Sequence, residues 1–236
     1  MRRDLKRLIR ESRSRKIRGE NMDRTIDTSE YGLCVYSMDM FTSFLKREKI
    51  KSKKLLALLQ KDKKTFLKMQ EEGIWIPFPE IDGVSYIIKI KNLKEEFDDQ
   101  WEKVLEYGGF NLEVKDGIWI SDTGSFLNFD ETLYRSEGHE YTGNFGMIHY
   151  DSNKERWYTT MNGAKVYSDV WCDIPAGKYL LTVKGYAKKE IVDRKAVNYG
   201  YQFELIEVEH FDGYKNPRGE EYNYNIGSIV RAKMKK

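Results

Sequence analysis

The chain is poor in the side chains from which most reactive centres are built. Two cysteines, Cys34 and Cys172, can make neither a disulfide framework nor a four-thiolate zinc site. Three histidines, His139, His149 and His210, stand far apart, and none lies in an H-x-x-x-H or H-E-x-x-H spacing. Four prolines and eighteen glycines in 236 residues exclude a collagen-like or low-complexity chain. No apolar run approaches the ~20 residues of a membrane-spanning helix, and no h-region follows the N-terminal positive charges, which excludes a secretory signal. There is no G-x-G-x-x-G, no Walker-type loop and no G-x-S-x-G elbow. No catalytic residue, metal site or cofactor is therefore assigned. The default is a cytoplasmic protein with free thiols and no membrane partner.

Charge and rings are what the chain does have. Residues 1–21 carry nine Arg or Lys against Asp4, Glu11 and Glu20, whereas the whole chain is only +3. The remainder is thus mildly acidic. This arm reads either as a nucleic-acid-binding segment or as an extension, ordered or not, ahead of a fold that starts near Met22. Leu5, Leu8 and Ile9 would give it a short amphipathic helix. Sixteen Tyr, eleven Phe and five Trp exceed the needs of one modest core. Tyr199, Tyr201, Tyr214, Tyr222 and Tyr224 gather towards the C-terminus among Lys215, Arg218, Glu220 and Glu221. Such a stretch suits either a strand surface or a recognition surface with aromatic anchors and a polar rim.

The apolar pattern predicts an α+β fold. A helical and mixed portion spans residues 22–108, and an antiparallel β-rich sandwich or curved sheet spans 109–236, an arrangement compatible with one shared core. Strands are expected at Tyr31–Tyr36, from Ile74 to Phe78 and from Val84 to Ile90. Helices are expected from Met38 to Arg47, from Lys53 to Glu71 after a Ser52 cap, and from Leu93 to Tyr107. Beyond Gly109 the pattern predicts strands near 110–114, 118–120, 126–129, 143–150, 156–161, 165–172, 178–188, 199–209 and 222–231. Two adjacent lysine-rich helices invite a DNA-reading helix-turn-helix, but Lys53, Lys54, Lys61, Lys63 and Lys64 are mixed with acidic neighbours and read rather as a solvated face. Glu72-Gly73-Ile74-Trp75-Ile76 echoes Asp116-Gly117-Ile118-Trp119-Ile120, as expected of two turns that enter buried strands. Cys34 reads as a core residue from the apolar density of its strand, and Cys172 as core packing at a strand end, because the neighbouring Asp173 works against a low thiol pKa. His139, next to Glu140 in a loop, is the one place where acid–base chemistry could be sought.

Several phrases carry a resemblance. They are Phe110-Asn111-Leu112, Trp119-Ile120-Ser121-Asp122-Thr123-Gly124, Ile174-Pro175-Ala176-Gly177-Lys178-Tyr179 with Lys184-Gly185-Tyr186, and Asn198-Tyr199-Gly200-Tyr201 before the acidic run Glu204 to Glu209. Together, over about residues 105–227, the chain resembles small bacterial immunity proteins of polymorphic toxin systems. The resemblance implies a non-enzyme that binds one cognate protein toxin and occludes its active site, with no catalytic residues to carry over. Inhibitors of nuclease toxins often present acids to basic clefts. The expected partner-binding residues are Asp122, Asp130, Glu131, Tyr134, Tyr214, Glu220, Glu221 and Tyr222. Two other readings stand beside this one: nucleic-acid binding through residues 1–21, and an enzyme centred on His139.

Overall fold

In the computed structural model the residues described are 24–29, 31–134, 140–143, 146–150, 156–159, 165–191, 193 and 196–235. The basic arm and His139 lie outside them. The described residues form twelve strands: β1 (Arg24–Asp27), β2 (Leu33–Tyr36), β3 (Trp75–Phe78), β4 (Ser85–Ile90), β5 (Trp101–Val114), β6 (Ile118–Asp122), β7 (Glu140–Gly143), β8 (Gly146–Tyr150), β9 (Arg156–Thr159), β10 (Lys165–Cys172), β11 (Gly177–Lys188) and β12 (Tyr199–Val208). Four α-helices accompany them: α1 (Met38–Arg47), α2 (Leu55–Lys61), α3 (Lys63–Glu71) and α4 (Ile226–Met234). The fold is α+β with a β-rich majority, arranged as one strongly curved sheet.

The main strand order is β3-β2-β6-β10-β1-β4-β12-β11-β5, and β9, β8 and β7 branch from β10. Strands from residues 24–90 are thus interleaved with strands from 101–208. The two ends of the order come together where the Glu113 N–H donates to the Gly73 carbonyl at 2.8 Å, which nearly closes a barrel. Gly73 has φ +70°, and a Cβ there would lie 2.8 Å from the Glu113 nitrogen, so the seam requires glycine on both counts. Curvature comes from β5. Its register against β11 shifts between Phe110↔Leu181 and Gly108↔Thr182, which leaves Gly109, at φ +84°, as the extra residue of a bulge.

Strand alternation builds two cores. Leu33, Val35, Ile76, Ile118, Ile120, Val170 and Cys172 point into the barrel with Phe78, Phe110, Leu181, Tyr201 and Phe203. Their neighbours Cys34, Tyr36, Trp75 and Trp119 point outwards. That outer face is covered by Phe41 and Phe44 of α1, by Leu55, Leu56 and Leu59 of α2, by Phe66 and Met69 of α3, and by Phe126 and Phe129. The two Gly-Ile-Trp-Ile phrases flank β2 symmetrically. Tyr36 pairs with Trp75 on one side and Trp119 on the other, and Val35 pairs with Ile76 and Ile120 in the same way.

Five expectations are corrected. Residues 93–107 form no helix: Lys91–Leu93 is one 3-10 turn, and β5 begins at Trp101. Phe97, Trp101, Val104 and Leu105 have helical spacing, but a twelve-residue ladder with β11 outweighs that local signal. The stretch from Lys53 to Glu71 is two helices, broken at Asp62, whose carboxylate accepts from the Thr65 N–H at 3.0 Å and caps α3. The Ser52 hydroxyl reaches only the Lys54 N–H, and α2 starts uncapped by any side chain. Residues 123–128 form a 3-10 turn rather than a strand. Residues 226–234 form α4, capped by the Asn225 side chain, which accepts from the Ser228 N–H at 2.8 Å. None of the helices among the described residues is long and apolar enough to cross a membrane.

Candidate functional site

The eight expected contact residues fall into two groups. Asp122, Asp130, Glu131 and Tyr134 lie at and beyond the end of β6. Asp122 does not present its charge to a partner: its Oδ1 accepts from the Ser29 N–H at 3.0 Å and from the Ser29 hydroxyl at 2.7 Å. Burial pushes this carboxyl above the ordinary aspartate range, and the Ser29 hydrogen bonds only partly offset that. Tyr134 is 5% exposed and packs edge-on against Trp119, so it belongs to the core and not to the surface. Its hydroxyl donates to Asp169 Oδ1 at 3.3 Å, and the Arg156 guanidinium lies 4.1 Å from its ring centre. Asp130 and Glu131 face lysines. Lys53 Nζ donates to Asp130 at 2.8 Å and holds its pKa down to about 2, with Thr132 adding two further hydrogen bonds. Lys46 lies 3.5 Å from Glu131. These acids serve the helical layer.

The second group is at the C-terminal end of the chain. Glu220 and Tyr222 line a groove of about 540 Å³ whose walls are the Pro79-Glu80 turn after β3 and the segment from Pro217 to Ser228. Glu221 is exposed between them. Tyr214 is also exposed but is not part of the groove wall.

The groove is fixed by its own sequence. Tyr224, 2% exposed, plugs the barrel end. Its ring packs edge-on against Phe78 and Tyr107 and stacks with Tyr222. The Tyr224 hydroxyl donates to the Pro217 carbonyl at 3.1 Å, and its own carbonyl accepts from the Tyr201 hydroxyl at 2.7 Å. These bonds close residues 217–224 into a loop. Arg218 ties that loop to the helices: it donates to the Leu59 carbonyl at 2.9 Å and stacks over Phe66 with its guanidinium 4.0 Å from the ring centre. Burial lowers its pKa to about 10, since no carboxylate offsets the lost hydration. On the other side Asn225 donates to Asp82 at 2.8 Å and Arg231 donates to the same carboxylate at 3.1 Å. Burial alone would raise the Asp82 pKa, but these two donors leave it below the ordinary value.

The rim is acidic and aromatic. Glu80, Glu220 and Glu221 form no ion pair among the described residues. Glu80 adopts φ +59°, a left-handed conformation costly for a non-glycine residue, and it turns the chain at the groove's edge. Burial raises the Tyr222 pKa, and the neighbouring Glu221 carboxylate adds to the effect. Such a cleft can hold a basic or amide-rich segment between carboxylates with a ring beneath it.

The thiols are core residues. Cys34 is fully buried and its Sγ donates to the Ser121 carbonyl at 3.6 Å. Cys172 is 1% exposed, and burial raises its pKa to about 11. His210 pairs with Asp212 on the surface at 2.9 Å. Among the described residues no three His, Cys, Asp or Glu side chains gather as a metal site would require. Sequence reasoning named Glu220, Glu221 and Tyr222 but missed Glu80 and the structural part of Arg218. Glu80 is brought to the groove only by the return of β3, and no local pattern announces it. Comparison of the chain with protein-family models, curated proteins and solved structures finds no match.

Proposed function

We propose that the protein is an inhibitor that binds a cognate bacterial protein toxin and occludes it, with the C-terminal groove as the contact surface. The observation that carries this reading is the meeting of Glu80, Glu220 and Tyr222, distant in sequence, around one open cleft that Arg218 also lines and in which neither glutamate forms an ion pair among the described residues. Charge distribution supports it. Basic side chains concentrate in residues 1–21, nine against three acids, and in residues 46–68, ten against two. The remaining residues hold 22 basic against 33 acidic side chains, so the sequence outside those segments is acidic, which would suit an inhibitor of a basic active site. Acids at the rim would speed encounter, and the half-buried Tyr222 would slow dissociation.

The test is complex formation between the full chain and the toxin encoded beside it, by size-exclusion chromatography with light scattering. A one-to-one complex is expected at micromolar concentration. The Glu220→Lys, Tyr222→Ala double variant should weaken it at least tenfold, about 1.4 kcal/mol. Absence of any complex, or full affinity in the double variant, rejects the reading.

A further inference from the structure

We propose that α2 and α3 present a binding surface for the phosphate backbone of a nucleic-acid duplex. Of the ten basic residues in 46–68, Lys49, Lys51, Lys54, Lys61, Lys63 and Lys64 are exposed and form no ion pair among the described residues. Their exposure agrees with the sequence reading of a solvated face, but the acids of the stretch do not pair with them. The acids of this stretch are Glu48 and Asp62. Glu48 pairs with Arg47 and Lys68, and Asp62 is occupied as the cap of α3.

Geometry groups these charges. Lys54 immediately precedes α2 and Lys61 ends it; seven residues apart, they share the side opposite the buried Leu55, Leu56 and Leu59. Lys64 sits on the side of α3 away from the buried Phe66 and Met69. α2 is about 10 Å long, which spans about three phosphate steps along one strand of a duplex. The lysines also oppose the folding physics. Neither helix has an acid in its first turn, and lysines stand there instead, Lys54 before α2 and Lys63 and Lys64 in α3, where the helix dipole disfavours cations. A polyanion reverses that penalty, because the ammonium groups attract it.

The same observations choose the partner. Lysine is depleted from protein–protein interfaces but is a regular phosphate ligand. A lipid surface would call for apolar side chains to insert. None of the exposed large hydrophobics falls in residues 46–68, and Leu127 alone belongs to a turn that packs on α2. A single strand would call for stacking rings, and the aromatic residue of this stretch, Phe66, is 3% exposed. What is left is sequence-independent backbone contact with a duplex.

The test is fluorescence anisotropy of the full-length chain with labelled duplexes of about 20 base pairs, one DNA and one RNA, between about 50 and 200 mM salt. Lys54, Lys61 and Lys64 are replaced together by Ala, and in a second variant by Arg. The alanine variant should bind at least tenfold more weakly, and its slope of log affinity against log salt should be shallower by about 2 to 3. The arginine variant should bind like the parent, and all three should melt alike, since the changes are on the exposed face. Tighter binding of DNA or of RNA supports the proposal and names the source of the phosphates. No duplex binding by the parent overturns it, as does an unchanged slope in the alanine variant, which would assign the binding to residues 1–21. Equal binding to phosphatidylserine vesicles, lost in the same variant, also overturns it in favour of a membrane surface. None of these outcomes depends on the groove.

Discussion

The buried ion pair between Arg156 and Asp169 should be the most sensitive point of the fold to a single charge removal. Asp169 has 0% side-chain exposure and Arg156 3%, with Nη1 2.7 Å from Oδ2. The Ser168 hydroxyl donates to the same oxygen at 2.9 Å, and the Tyr134 hydroxyl donates to the other at 3.3 Å. The pair sits where the sheet divides: Asp169 is paired with Ser121 of β6 and with Arg156 of β9, and a bulge at Ser168 shifts the register. Asp169→Asn keeps the shape and removes the charge, which leaves the guanidinium buried without its counter-ion. That situation costs about 3–5 kcal/mol. In a chain of this size each kcal/mol lowers the melting temperature by about 2–4 °C, so a drop of about 6–20 °C is expected by circular dichroism. Arg156→Met should cost a similar amount. The double variant Asp169→Leu, Arg156→Met removes both charges and should recover most of the loss, because a buried pair is nearly neutral against apolar replacement. Single variants that cost under about 1 kcal/mol, or a double variant as poor as the two losses added together, would refute the buried pair and the branch point it stabilises.

Two further outcomes follow from the cores. Asp122→Asn should raise stability at neutral pH, because the amide oxygen still accepts from Ser29 while the buried charge is gone. Burial raises the folded pKa above the unfolded ~3.9, so the carboxylate's penalty is absent below the unfolded value, grows as pH rises between the two and is complete above the folded one; melting curves of parent and variant should converge near pH 3. Phe126, fully buried against Tyr36, Phe41, Trp75 and Phe129, should cost about 3–5 kcal/mol on truncation to Ala, read by urea denaturation with the five tryptophans as the probe.

Much of the strand content was legible because β2 and β4 are short runs rich in apolar residues and β11 alternates along its length between turn residues. The closure of the sheet was not, since it depends on β1 lying between β4 and β10, where the partners of Ile26, Tyr86 and Tyr167, are far along the chain. β5 was misread for the same reason: Phe97, Trp101, Val104 and Leu105 carry a helical period, and only β11 makes that stretch a strand. At the candidate site, Asp122 and Tyr134 were expected among the exposed acids and tyrosines of a contact surface. Whether such a residue faces solvent depends on what folds over it, here Ser29 for Asp122 and the aromatic layer for Tyr134. Glu220 and Tyr222 were legible as a mixed-charge, tyrosine-rich segment. Their groove was not, because its other wall, Pro79-Glu80, is about 140 residues away in sequence.

The central proposal is that the acidic, tyrosine-floored groove grips a toxin. Hydrogen exchange of the full chain, alone and in complex with the toxin encoded beside it, tests that claim directly. The account predicts new protection at residues 79–80 and 217–228. Protection confined to other segments, with the groove exchanging as freely as in the unbound chain, would contradict it.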